Sequence, residues 1–168
     1  MNKRGKLFAI AVAIMLLTAC TKNSGTDGSV EENKALLQGY IDEMNRGNES
    51  YLDEYFAADY RYHGPAGELD ADGFKAVHSM FLSAFSDVKA SIEDIIAVGN
   101  KVATRYKICG THTGEFLNLA PTGKKVTITG IIITQVKDGR VVEEWEAFDQ
   151  LNFMQQLGVI PLPENKDQ

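Results

Sequence analysis

The 168-residue chain has few residues that could cross-link it. It contains two cysteines, and Cys20 directly follows an apolar leader, so only Cys109 is left for the remaining domain. An intrachain disulfide is therefore excluded if Cys20 is modified. Long hydrophobic runs are also missing, because Leu7–Leu17 extends over only eleven residues and a spanning helix needs about 20. A hydrophobic core alone must stabilise the fold.

Motifs of several enzyme classes are absent as well. The sequence has no G-x-S-x-G elbow and no G-x-G-x-x-G loop, which argues against a hydrolase triad of that type and against a dinucleotide site. The histidines, His63, His78 and His112, show no H-x-x-x-H spacing, and no cysteine cluster accompanies them. We therefore predict no metal and no cofactor, and expect separate pocket or hydrogen-bonding histidines.

The N-terminal segment combines a basic start, the apolar run and small residues before Cys20. This order is typical of a secretory signal, and Leu17-Thr18-Ala19-Cys20 resembles a bacterial lipobox. We expect residues 1–19 to be a lipoprotein signal peptide and Cys20 to carry lipid, so that the protein is exported and anchored to the bacterial cell envelope. An ordinary signal peptide with an incidental cysteine is the alternative. Residues 20–29 form a polar tether, 30–163 the domain and 164–168 a tail.

The domain is acidic. Without the three basic residues of the leader, 14 lysines and arginines face 23 aspartates and glutamates, a formal charge of −9. Phosphate contacts need a basic patch. The charge therefore argues against a nucleic-acid partner.

Helical patterns come first and extended patterns last. Ser29 and Glu32 fit a capping box for the first helix, Gly47 ends it, and Asp70 caps a later one. The predicted helices cover about 30–46, 50–56, 70–85 and 151–157, and the predicted strands cover 59–63, 88–98, 101–113, 126–136 and 140–149. This order predicts an α+β fold with a curved antiparallel sheet and helices over one face.

The turn Asp138-Gly139 is a strong hairpin signal. Pairing Lys137 with Arg140 places Ile132 opposite Trp145, Gly130 opposite Ala147 and Ile128 opposite Asp149. Because side chains alternate along a strand, this register predicts an apolar inner face that ends in one carboxylate. Gly130 would leave room there for a ligand.

The opposite face of the predicted hairpin carries Ile131, Ile133, Val142 and Phe148. These are many apolar residues for a surface that only water covers. We therefore expect a homo-oligomer, most simply a dimer.

Asp149 is the first candidate for chemistry. Burial on an apolar face raises the pKa of a carboxyl group, and a pKa near neutrality suits proton transfer. The alternative is that Asp149 caps the last helix. Arg105 is a candidate donor to a substrate oxygen, with a solvated outward charge as its alternative.

Several motifs together resemble the SnoaL-like polyketide cyclases, many of which are called ester cyclases. The similarity covers about Ala35 to Pro161. It rests on the segments Tyr62-His63-Gly64-Pro65, Gly110-Thr111-His112-Thr113-Gly114-Glu115-Phe116, Pro121-Thr122-Gly123-Lys124 and Asp138-Gly139-Arg140-Val141-Val142-Glu143-Glu144-Trp145, and on Arg105, Asp149 and Gln156-Leu157-Gly158.

The resemblance implies a cone-shaped, nuclear-transport-factor-2-like fold with a deep apolar pocket. It implies cofactor-free acid/base chemistry on a small hydrophobic carbonyl compound, an aldol-type cyclisation or an isomerisation. Asp149 would be the acid/base, and His63, Arg105 and His112 the further catalytic residues. The expected pocket residues are Trp145, Phe81, Tyr62, Ile128 and Gly130. The alternative is a non-catalytic lipoprotein that binds a small hydrophobic ligand.

Lipidation gives the first testable prediction. Mass spectrometry of the membrane fraction should find Cys20 as a lipidated N-terminal residue, because the lipobox places cysteine directly after the cleaved bond. Cys20→Ser should abolish both cleavage at this site and membrane association. A soluble product that retains Met1, or one that is cleaved elsewhere, would contradict the prediction.

Overall fold

The computed structural model describes residues 28–48, 50–65 and 67–161. The signal peptide, Cys20, most of the tether and the tail lie outside these residues. The elements in chain order are α1 (Val30–Arg46), α2 (Tyr51–Tyr55), β1 (Phe56–Gly64), β2 (Gly67–Asp70), α3 (Ala71–Ala84), β3 (Lys89–Val98), β4 (Lys101–Thr111), β5 (Lys125–Lys137), β6 (Arg140–Phe148) and α4 (Gln150–Leu157).

The predicted helix caps are confirmed. Ser29 Oγ accepts a hydrogen bond from the Glu32 N–H at 3.2 Å, and Glu32 Oε2 accepts one from the Ser29 N–H at 2.7 Å. Gly47 ends α1 in the left-handed region with φ 74°, which glycine adopts without steric cost. Asp70 Oδ1 accepts from the Gly73 N–H at 2.9 Å and so begins α3.

Two asparagines fix α1 over the edge of the sheet. Asn33 Nδ2 donates to the Gly99 carbonyl at 3.0 Å. Asn45 makes two 2.8 Å bonds to the backbone of Ala90, one to its carbonyl and one from its N–H. These contacts join the two ends of the helix to β3 and to the turn that follows it, so α1 covers the concave face of the sheet.

The sheet is curved and has the strand order β2-β1-β6-β5-β4-β3. Neighbouring strands are antiparallel except β1 and β6, which run parallel. The expected α+β architecture is therefore confirmed. The expectation that all strands of the sheet run antiparallel is wrong for the pair β1 and β6. No hairpin connects β1 to β6, so no turn dictates the direction of that pair.

A β-bulge in β6 makes the predicted hairpin register wrong. Lys137 pairs with Arg140 as expected, but the register shifts at Val142, and Ile133 then pairs with Trp145. One extra residue exchanges the two faces of a strand. Glu144 and Glu146 consequently point to the interior, and Trp145 to the outer face.

The outer face agrees only partly with the expected dimer surface. Ile131 and Ile133 are 53% and 41% exposed. Phe148, in contrast, packs inside against Phe153 with ring centroids 6.4 Å apart, and Val142 lies at the bulge. Dimerisation stays a prediction, and the apolar surface available to it comprises Ile131, Ile133 and the Trp145 ring.

The hydrophobic core consists of two clusters of buried side chains, both on the concave side of the sheet. One lies between α1, α2 and the β1 side of the sheet, around the fully buried Tyr51 and Tyr60. The other lies beneath α4, around Phe85, Phe116 and Phe153. Both bury aromatic rings, which contribute large apolar areas to the stability of the fold.

Fluorescence of Trp145, the single tryptophan, can test the pairing register of β5 and β6 in solution. The Trp145 ring stacks on His63 at 5.5 Å, and Lys101 Nζ lies 4.7 Å from the ring centroid. Because Trp145 is on the outer face, acrylamide should quench native fluorescence, and His63→Ala should increase the quenching by uncovering one face of the indole. Quenching as weak as that of a core tryptophan, unchanged in His63→Ala, would support the unbulged register.

Candidate active site

An interior cavity of about 60 Å³ lies between α1 and the concave face of the sheet. Its wall is mostly apolar, with a polar patch contributed by β4 and β6. The lining residues are Leu37, Tyr40, Ile41, Met44, Ile92, Thr104, Tyr106, Ile108, Ile132, Glu144 and Glu146. An apolar lining with a few converging polar groups is typical of a ligand site.

Glu146 is the first of two carboxyl groups in this cavity. Its Oε2 accepts a hydrogen bond from the Tyr62 hydroxyl, and its Oε1 accepts one from the Tyr106 hydroxyl. Burial, followed by the charge of Glu146, raises the pKa of Tyr62 and of Tyr106 above the ordinary value. Both phenols therefore stay protonated and act as donors to the carboxylate.

Gly130 allows one of these contacts. It lies on β5 opposite Tyr106 of β4 and Phe148 of β6. A Cβ atom built on Gly130 would lie 2.5 Å from the Tyr106 hydroxyl oxygen and 2.8 Å from the Ala147 carbonyl oxygen. The absent side chain thus leaves the space in which the Tyr106 ring crosses β5 to reach Glu146.

Glu144 is buried more completely, with 1% exposure. Its Oε2 accepts from the Tyr60 hydroxyl at 2.7 Å, and its Oε1 accepts from Thr134 Oγ1 at 2.8 Å. Burial raises the pKa of Glu144 to about 7, although the two hydroxyl donors act in the opposite direction. The carboxyl group therefore titrates near neutrality in the folded protein.

A histidine lies on the same side of the core. His78 of α3 is hydrogen-bonded through Nε2 to the Tyr51 hydroxyl, and the Tyr51 ring lies 5.4 Å from that of Tyr40. Burial lowers the pKa of His78 to about 4. The imidazole is thus neutral at physiological pH and adds no positive charge near the carboxyl pair.

Asp149 lies elsewhere, so its expected position on the inner face is wrong. It follows β6, and its Oδ1 accepts from the Asn152 N–H at 2.9 Å, which makes it the N-cap of α4. The alternative interpretation of this residue, a helix cap, is the one observed. The bulge at Val142 had hidden this outcome, because the assumed register placed Asp149 opposite Ile128.

Two other candidates, His63 and Trp145, meet on the outer face. His63 contacts Glu143 Oε1 at 2.8 Å and Glu68 Oε1 at 3.2 Å, and its ring stacks on Trp145. Trp145 was expected to point inward. This expectation is wrong because the bulge at Val142 shifts the β5–β6 register by one residue. Neither residue contributes to the cavity wall.

Arg105 and His112 are also separate from the carboxyl pair. The Arg105 side chain is 54% exposed, and its Nη2 donates to the Glu93 carbonyl at 3.2 Å. His112 is fully buried, and its Nδ1 accepts from the Thr122 N–H at 3.2 Å. The structure gives Arg105 a surface position and gives His112 a place in the loop that follows β4.

Four of the expected pocket residues are in the interior. Tyr62 donates to Glu146, and Gly130 makes room for Tyr106. Ile128 and Phe81 pack in the cluster beneath α4. The hydrogen-bonded side chains at the centre of the site, Glu144 and Glu146 with Tyr60 and Tyr106, were missed.

A signal for the missed residues is present in the sequence. Tyr60 and Tyr62 are two residues apart on β1, and Glu144 and Glu146 are two residues apart on β6. Each pair therefore shares a face of its strand. Matching two hydroxyl donors to two carboxyl acceptors would have favoured the bulged register.

A larger cleft of about 420 Å³ opens between α2, α3 and the start of β1. Its floor includes Phe56 and Phe74, and at its rim Lys75 pairs with Asp53. Arg140 donates from Nη1 to the Asp53 and Phe56 carbonyls. The charged groups of this cleft are exposed, whereas Glu144 and Glu146 line only the interior cavity.

Within the described ranges, no group of three or more histidine, cysteine, aspartate or glutamate side chains could hold a metal ion. None of the helices in this part of the chain is long and apolar enough to cross a bilayer.

Comparison with known proteins agrees with this architecture. The profile of the SnoaL-like polyketide cyclase family matches residues 34–157. The chain belongs to this family. A comparison with curated proteins gives no significant match.

Solved structures of SnoaL-like proteins are similar over most of the chain. AclR from Streptomyces galilaeus, a proposed hydroxylase, is 28% identical with a TM-score of 0.75, covering 81% of this chain and 87% of its own. IdmH from Streptomyces antibioticus, a proposed polyketide cyclase, is 31% identical with a TM-score of 0.67, covering 75% and 98%. A SnoaL-like protein from Jannaschia sp. CCS1 is 20% identical with a TM-score of 0.71, covering 82% and 100%, and shows the shared fold.

The capping role of Asp149 predicts different effects of two substitutions. Asp149→Ala should lower the free energy of unfolding by about 1 kcal/mol, because the Asn152 N–H loses its acceptor. Asp149→Asn should keep most of the stability, since asparagine caps a helix about as well as aspartate. Urea denaturation measures both. An equal loss in the two variants would contradict a capping role.

The raised pKa of Glu144 predicts a pH-dependent stability. The folded state holds this proton up to about pH 7, whereas an unfolded glutamate releases it near pH 4.3. The wild-type free energy of unfolding should therefore fall as pH rises between these values, by at most about 1.4 kcal/mol per pH unit from this group.

Glu144→Gln removes the titrating proton and keeps the side-chain shape. Its stability relative to wild type should thus increase from pH 5 to pH 7 and remain constant above. Thermal and urea unfolding at a series of pH values measure this difference, with the exposed Glu115→Gln as control. A difference that does not change with pH would exclude a proton held by Glu144.

Proposed function

We propose that the protein catalyses a cofactor-free proton transfer at the carbon next to a carbonyl group, with Glu146 as the acid/base. The observation that carries this proposal is a carboxylate on the wall of an apolar cavity, with both oxygens held by the Tyr62 and Tyr106 phenols. Hydrogen bonds that fix a base in one orientation favour proton transfer in a defined direction.

The chemistry of such a step balances without a further reagent. The Cα–H bond breaks, its proton goes to Glu146, and its electron pair forms the C=C bond of an enolate. Return of the proton at another carbon completes an isomerisation. Attack of the enolate on a second carbonyl, whose oxygen takes the proton from Glu146, completes an aldol-type cyclisation.

The size of the cavity restricts the substrate. Its 60 Å³ is well below the roughly 300–1,000 Å³ of drug-sized ligand pockets. A small carbonyl compound, or the carbonyl end of a longer one, fits this volume better than a polycyclic aromatic polyketide. Family membership and the names of IdmH and AclR support an enzyme without specifying its reaction.

An exchange assay tests the proposal before a natural substrate is known. Acetone, 2-butanone and cyclopentanone are incubated with the protein in D₂O, and ¹H NMR follows deuterium entering next to the carbonyl. Glu146→Gln should slow exchange about 10²–10⁴-fold, the usual contribution of a positioned base. Glu143→Gln is the matched control, because it changes a carboxylate of the same strand on the outer face.

Two results would argue against this assignment. Wild-type exchange no faster than in buffer, with tight binding of a ligand carried through purification, would favour the non-catalytic binding protein. Loss of exchange in Asp149→Asn, with full exchange in Glu146→Gln, would restore Asp149 as the acid/base.

A further inference from the structure

Two hydroxyl groups on the wall of the interior cavity have no hydrogen-bond partner within the described residues. One is Thr104 Oγ1, on a residue that is only 3% exposed. The other belongs to Tyr40 of α1, a half-buried residue that lines the same cavity. A buried hydroxyl without a partner is unfavourable, so the Thr104 hydroxyl in particular calls for an explanation.

The hydrogen bonds of the cavity explain why these two remain. The carboxyl groups of Glu144 and Glu146 offer four oxygens, and each accepts one hydroxyl. The donors are Tyr60, Thr134, Tyr62 and Tyr106. The Thr104 and Tyr40 hydroxyls are additional donors that the resting protein does not use.

Both residues line the same cavity as the proposed base. Thr104 of β4 pairs with Ile132 of β5, which in turn pairs with Glu146 of β6. Tyr40 approaches from the opposite side, and its ring is close enough to the Glu144 and Glu146 carboxyls for their charges to affect it. A small molecule in the cavity would lie between a helix donor, a strand donor and the Glu146 carboxylate.

We propose that the Tyr40 and Thr104 hydroxyls bind the carbonyl oxygen of the substrate and stabilise the enolate while Glu146 holds the transferred proton. This inference rests on the proposed function and adds the electrophilic half of the site. As the Cα–H pair moves into the new C=C bond, the C=O π pair moves onto oxygen, and the two hydroxyls donate to the developing negative charge.

The same arrangement defines the class of substrate. Among the described residues that line the cavity there is no lysine, arginine or histidine, whereas there are two glutamates. A carboxylate or phosphate ligand would meet like charge without a cation to offset it. The site therefore suits an uncharged ketone or aldehyde.

The protonation state of Tyr40 fits a donor role. Burial raises the pKa of Tyr40 well above its ordinary value, and the neighbouring Tyr51, Glu144 and Glu146 act in the same direction. The phenol therefore keeps its proton throughout the physiological range and is available to donate it in a hydrogen bond.

Tyr40→Phe and Thr104→Val test the proposal, because each removes a hydroxyl and nearly preserves shape. Each should slow deuterium exchange of acetone and 2-butanone by roughly 10²-fold, the usual effect of losing one such donor. Their urea midpoints should stay at or above the wild-type value, because the free protein loses no hydrogen bond. Tyr55→Phe and Thr129→Val, which lie outside the cavity wall, are the matched controls and should exchange at the wild-type rate.

A binding measurement separates this inference from the proposed base. In the Glu146→Gln background, NMR titration compares acetone with 2-methylpropene, which has a similar shape but no acceptor oxygen. We expect a preference for acetone that falls about tenfold when Tyr40→Phe and Thr104→Val are added. An unchanged preference, or no binding of acetone, overturns the inference. Undiminished exchange in Glu146→Gln alone would instead overturn the proposed base and leave the two donors supported by the binding data.

Discussion

Two carboxyl groups buried on one strand impose the main constraint on this fold. A buried ionised group is tolerated only when its oxygens are hydrogen-bonded, so Glu144 and Glu146 together require four donors. Tyr60 and Tyr62 come from β1, Tyr106 comes from β4, and Thr134 comes from β5. The requirement thus joins β1, β4 and β5 around β6, and it accounts for aromatic residues on the concave face that carry hydroxyl groups.

The helix caps and the hairpin turn could be predicted from the sequence, because each depends on residues close together in the chain. The capping box at Ser29, the cap at Asp70 and the turn at Asp138-Gly139 each involve residues within a few positions of one another. The face of β6 was not readable in this way. It depends on Val142, a residue whose type gives no bulge signal, and on hydroxyl donors more than 80 positions away in β1.

The wrong register of β6 also made the predicted site residues of that strand wrong. A shift of one residue exchanged Asp149 and Trp145 for Glu144 and Glu146, because alternation couples every side chain of a strand to one choice of face. The family resemblance correctly identified the fold, and the acid/base that we propose, Glu146, also lies near the end of the last strand. Resemblance of motifs could not decide between carboxylates three residues apart, whereas their hydrogen bonds could.

The two interior glutamates differ in a way that assigns them different roles. Glu144 is sealed by Tyr60 and Thr134, and its titration near pH 7 is set mainly by burial. Both carboxyl groups line the cavity and both have their two oxygens hydrogen-bonded, but Glu144 is the more deeply buried, with 1% exposure. Glu146 shares the cavity wall with the unpartnered Thr104 and Tyr40 hydroxyls, so a ligand can reach it and these donors together. The charge of Glu146 adds to burial in raising the pKa of Glu144, since like charges in a low-dielectric interior repel. In our proposal, Glu146 is therefore the group that exchanges the proton with substrate, and Glu144 is its more deeply buried neighbour that titrates near pH 7.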